Sequence, residues 1–168
     1  MKFLSTKDIL PKEGARAGRV LYHKSSILSS LKAWKENDIN SVIDYAEKAK
    51  LWPGNLGSGR PYDVDERMED FILWKGYAKK KDTSNAEKHR MKLLQYAFNP
   101  EDPSDNLMLQ FIASDRMKRK DIINSMDSQK QESLIQWMTN IEKNEPSIPL
   151  LEEVSVVKQI ISTLKSIP

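Results

Sequence analysis

Three stretches of this chain carry residues whose types and spacing suit chemistry. In the first, Gly54 to Arg67, three glycines can expose backbone amides, and Arg60 offers a planar fork to a carboxylate or other anion, with Tyr62 and Asp63 beside it. In the second, Arg16, Arg19 and His23 fall on one face of a helix, with Tyr22 adjoining, which makes a basic edge that a ligand can meet. The third is a pair of basic runs, Lys75, Lys79, Lys80, Lys81, Lys88, Arg90 and Lys92, then Arg116, Lys118, Arg119 and Lys120, which could follow a phosphate backbone.

Each stretch also has a plain structural reading, and the residues alone leave both open. The loop can pack across a helix junction, with Arg60 or Arg67 paired to Asp63, Asp65 or Glu66 and Tyr62 tucked between helices. The Arg16, Arg19 and His23 row can be a solvated face or pair with acids of the next helix. The lysines suit helix ends and solvated faces, and His89, set among them, is expected to be exposed. The net charge of +3 is too small to imply a nucleic-acid partner.

Other chemistries find little support. Zero cysteines exclude disulfides, thiolate metal sites and a cysteine nucleophile, and two histidines without clustered carboxylates leave no metal set. The glycine loop is no phosphate loop, because no Gly-Lys-Ser or Gly-Lys-Thr ends it and no strand precedes it. Carboxylates such as Glu66 and Glu69, or Asp65 and Glu69, lie one helical turn apart, which is ordinary helical spacing. No catalytic residue, metal or cofactor is therefore expected.

Helices must position these residues. Across 168 residues, six glycines and eight prolines fall in clusters, and between the clusters apolar residues recur three and four apart without period-two alternation. The first helix is expected from Gly14 or Ala15 to Glu36, with Val20, Ile27, Leu28, Leu31 and Trp34 on its apolar face. A second runs from Ile39 to Leu51, carrying Val42, Ala46 and Ala49, until Trp52-Pro53-Gly54 stops it. After the loop, a third is expected over Asp65 to Lys81, and a fourth, capped by Thr83 or Ser84, reaches Phe98. A third hairpin comes next at about 104–127, then helices at about 129–144, opened by a Ser128 and Gln131 capping box, and at about 150–166. Tryptophans and tyrosines on these stripes suit packing between helices. The expectation is one all-α domain of about seven to eight helices.

The first two hairpins also repeat. Trp34 to Val42 aligns with Ala78 to Ala86, each with an aspartate at the turn and a small or branched apolar residue four positions on, and a weaker copy stands at Lys120-Asp121. This pattern resembles the tetratricopeptide repeat: Val42, Ala46, Ala49 and Pro53 match the second half of its motif, and Leu73, Tyr77, Asp82 and Ala86 the first half of the next. Asn37 and Lys81 stand where the repeat has its turn glycine, and Arg90 replaces a small residue. The resemblance implies an α-α right-handed superhelix.

Gly18-Arg19-Val20-Leu21-Tyr22-His23 and the stretch from Leu51 to Asp70 are similar to the C-terminal helical-repeat portions of large uncharacterised Bacteroidetes proteins, whose N-terminal β-rich parts resemble galactose mutarotases. That similarity implies a C-terminal piece of a longer chain, and it supplies no reaction for this portion. The expected function is a non-catalytic scaffold that holds a protein, a peptide or another domain of its parent chain. Arg16, Arg19, Tyr22, Arg60, Tyr62, Asp63 and Arg67 are its candidate contacts. The alternative is an accessory helical domain of a carbohydrate-active enzyme, touching sugar or a catalytic domain through the Gly54 to Arg67 loop. With no apolar leader behind Lys2 and no apolar run long enough to span a bilayer, neither secretion nor a membrane is expected, and a cytoplasmic setting is favoured.

Overall fold

A computed structural model describes residues 17–97, 99, 104–124, 128 and 131. Among them the chain is all-helical: α1 (Ala17–Lys35), α2 (Ile39–Lys50), a 3-10 turn (Gly54–Leu56), α3 (Arg67–Lys79), α4 (Thr83–Gln95), α5 (Ser104–Ala113) and α6 (Arg116–Asn124). The described residues thus hold six α-helices and no strand, fewer than the seven to eight expected. Arg16 and, apart from Gln131, the helix expected at 129–144 lie outside the described residues, as does the whole of 150–166. The chain divides into two compact units, Met1–His89 and Arg90–Pro168, the division falling within α4.

In the first unit α1 packs on α2, and α2 on α3. The buried side of α1 is Arg19, Tyr22, Ser26, Ile27, Ser30, Leu31 and Ala33, whereas Val20, expected in the core, is 45% exposed. The stripe is rotated from the expected one because small serines lie where the helices meet. Ser26 Oγ donates to the Tyr22 carbonyl at 2.8 Å and Ser30 Oγ to the Val42 carbonyl at 2.8 Å, so both hydroxyls are buried without loss. Val42, Ala46 and Ala49 of α2 are fully buried, as their spacing predicts. On α3, Gly76 lets the backbone approach α2: a Cβ there would stand 3.0 Å from Ile43 Cγ1.

The turns at Asn37 and Lys81 are built alike. Asn37 and Lys81 both lie in the left-handed region, with φ of 60° and 63°. Asn37 N donates to Trp34 O at 3.0 Å and Asp38 N to Ala33 O at 2.9 Å; Lys81 N donates to Ala78 O and Asp82 N to Tyr77 O, both at 3.0 Å. This paired bonding satisfies the last carbonyls of one helix and normally recruits glycine at the left-handed position. Each turn aspartate then opens the next helix. Asp38 accepts from Ser41 N at 3.1 Å and Asp82 from Asn85 N at 3.1 Å, so Asp82, and not the expected Thr83 or Ser84, caps α4.

The second unit uses the same opening. Asp115 Oδ1 accepts from Lys118 N at 2.9 Å between α5 and α6, while Asp121, expected at a turn, is exposed within α6. Arg119 reaches back from α6 to the carbonyls of Phe111, Ser114 and Ile112 at 3.1, 3.0 and 3.0 Å, closing the end of α5. Lys118 Nζ donates to Leu94 O at 3.2 Å. These cations therefore serve helix ends, one of the two roles expected of the run. Gln131 donates its side-chain amide to the Ile123 carbonyl at 2.9 Å.

Candidate functional site

The first unit gathers an unusual share of buried charge around the start of α3. Glu66, Glu69 and Asp70 lie at its N-terminal end, where the helix dipole favours negative charge. Glu69 and Asp70 are both buried, and each meets a cation or ring from another element. His23 Nε2 of α1 lies 2.7 Å from Glu69 Oε1. Lys50, at the end of α2, donates to Asp70 Oδ1 at 2.7 Å and pairs with Glu66 at 3.1 Å. His89 Nδ1 of α4 lies 2.7 Å from the same Asp70 oxygen, and its ring stacks on Tyr77 with centroids 5.5 Å apart. His89 is 4% exposed, which overturns its expected place at the surface. From the loop, Arg60 Nη2 donates to Glu66 Oε1 at 2.8 Å.

Burial acts on this network in two directions. It pulls the Lys50 ammonium towards the neutral form, but Asp70 and then Glu66 outweigh it and hold the group above its ordinary value. Burial pushes the Tyr77 phenol up, helped by Glu47 and Asp82. Arg19 behaves otherwise. It is 5% exposed, and burial drags its guanidinium below the ordinary value against the pull of Glu69, Tyr22 and Glu66, with Arg60 close enough to add to the depression. Its Nη2 donates to Ala49 O at 2.7 Å, at the carbonyl end of α2, and its Cζ lies 4.4 Å from the centre of the Trp52 ring.

The candidate contacts thus separate. Arg19 and Arg60 come within electrostatic range of one another, with Trp52 stacked on the first and Glu66 bound to the second. Arg67 is buried and grips Asp65, Nη2 to Oδ2 at 2.7 Å and Nε to both oxygens at 3.1 Å, while the Asp65 carboxylate also accepts from Arg67 N at 3.0 Å. Tyr22 is buried and its carbonyl receives Ser25 and Ser26. Tyr62, expected between helices if the loop packs, is instead fully exposed at 105%, and Asp63 is exposed beside it.

Sequence reading missed the core of this arrangement. Glu69 and Asp70 stand three positions before Ile72 and Leu73, so they lie on the buried stripe of α3; carboxylates in register with an apolar stripe are the signal that would have found them. The His23 and Glu69 pair has the geometry of a base held by an acid, but among the described residues no hydroxyl side chain bonds to His23. Nor do the described residues hold a group of three or more His, Asp or Glu suited to a metal ion. No described helix is long and apolar enough to cross a membrane. Comparison with protein-family models, curated proteins and solved structures finds no match.

Proposed function

We propose that the chain is a non-catalytic interaction module of tetratricopeptide-like helical repeats, a right-handed superhelix that holds a protein or peptide partner or another domain of its parent chain. The observation that carries this reading is Tyr62. A fully exposed tyrosine stands on a loop that is fastened on both sides: Leu56 is buried ahead of it, and the pairs Arg60 to Glu66 and Arg67 to Asp65 tie the loop to the start of α3. An aromatic ring held out on a pinned loop loses little entropy on binding and offers large contact area, which is why tyrosine recurs where interface energy concentrates. The matching turns at Asp38 and Asp82 support the repeat.

Affinity capture by the whole chain, beside Tyr62→Ala and Arg60→Ala, tests the reading. Tyr62→Ala is expected to weaken retention of a specific partner about thirtyfold, the effect of about 2 kcal/mol at an interface hot spot, with an unchanged circular dichroism spectrum. A partner retained equally by both folded variants would move binding away from the loop.

A further inference from the structure

Arg19 is a buried cation to which, among the described residues, no carboxylate is bound. Within the same residues its side chain makes one hydrogen bond, to the Ala49 carbonyl, and Nε, closed to solvent, has no acceptor. The two acids that act on it are committed elsewhere, Glu66 to Lys50 and Arg60, and Glu69 to His23. Trp52, stacked on the guanidinium, repeats the deficit: its indole Nε1–H is likewise buried without an acceptor. Buried donors are nearly always satisfied, so two orphaned N–H groups in one stacked pair, one of them cationic, point to an acceptor supplied from outside.

We propose that the Arg19 and Trp52 pair seats a single carboxylate of the bound partner, either an acidic side chain or a free C-terminus. This rests on the interaction reading above and names the chemistry that it recognises. A guanidinium Nε–H and an indole N–H are both planar donors, and a carboxylate supplies two oxygens in one plane to meet them. A monoanion fits better than a doubly charged phosphate, because Glu66 and Glu69 already act on Arg19 and would repel the extra charge. A second arginine, Arg60, adds positive potential at the same place. Since both N–H groups are shut from solvent in the free chain, the carboxylate enters with a rearrangement of side chains.

Proton–nitrogen correlation spectra of the whole chain test this directly. The Trp52 indole signal is assigned by its loss in Trp52→Phe, which keeps the stacked ring, and the Arg19 Nε–H signal by its loss in Arg19→Lys, which keeps the charge. Three probes are titrated: acetyl-trialanine with a free C-terminus, amidated acetyl-Ala-Glu-Ala, and amidated acetyl-trialanine. Both signals are expected to move saturably with one or both acidic probes and not with the neutral one, the first two telling a C-terminus from a side chain. Trp52→Phe should weaken that binding about fivefold, as expected for one hydrogen bond. Signals that ignore every carboxylate, as they would if a buried water served both donors, overturn the proposal, as does tighter binding of inorganic phosphate. A partner captured through Tyr62 while these signals stay still removes the carboxylate seat alone. Carboxylate-driven shifts with no partner lost in Tyr62→Ala remove the loop reading alone.

Discussion

Asp70 holds Lys50 and His89 at once while nearly excluded from water, and its removal takes from His89 its 2.7 Å partner and leaves the half-buried Lys50 with Glu66 alone. Asp70→Ala is expected to cost about 3–5 kcal/mol in chemical denaturation, far more than removing an exposed pair such as Lys32 and Glu36. A loss below about 1 kcal/mol would show that the network is solvated. The turn aspartates act differently, Asp38 being exposed and Asp82 half-buried. Hydrogen bonds from Ser41 to Asp38 and from Asn85 to Asp82 hold both carboxylates below their ordinary value. Their contribution is therefore complete at neutral pH, above the unfolded value, and is lost as pH falls through the folded one. Asp38→Asn with Asp82→Asn keeps a capping oxygen but removes the titration, so stability measured from pH 7 downwards should fall less steeply than in the wild type. Equal acid slopes would contradict this. The turn aspartates are legible in sequence as an aligned pair, but Asp82 as the cap of α4 is not, because Thr83 and Ser84 beside it are capping residue types too. His23 and Glu69 are forty-six positions apart, and nothing local marks them as partners.

Helices α1 to α4 are legible to within a few residues because their ends are written locally, by Asp38, by Trp52-Pro53 and by Asp82. Which face each helix buries is less so. On α1 the core side includes Arg19, Ser26 and Ser30, which a hydrophobic stripe passes over in favour of the exposed Val20. Small residues matter most where one hairpin meets the next. Gly76 of α3 faces Ile43 Cγ1 at 3.0 Å and Val42 Cγ1 at 3.6 Å, so the α2 and α3 packing distance is set by a missing side chain. Gly76→Leu should destabilise the chain by about 1–3 kcal/mol through overpacking, and Ile43→Ala, which removes the Cγ1 it meets, should restore part of it in the same chain. A strictly additive double variant, worse than either single one, would show that these two residues do not share the space.

The described helices carry two turns of the same bonding, a buried ion network at the start of α3, and a pinned loop that presents Tyr62. The composition excludes thiolate chemistry and makes a helical chain the natural reading, yet it cannot reveal the network, since its members are drawn from α1, α2, the loop, α3 and α4. The proposed role as an interaction module then depends on what touches the loop. A photo-reactive phenylalanine analogue placed at position 62, with the exposed Lys88 of α4 as the control position, records those contacts in a cell extract. The account predicts a discrete adduct at position 62, absent at 88 and abolished by excess unlabelled wild-type chain but not by excess Tyr62→Ala. Adducts that are diffuse, or equal at both positions, would contradict a binding role for the loop.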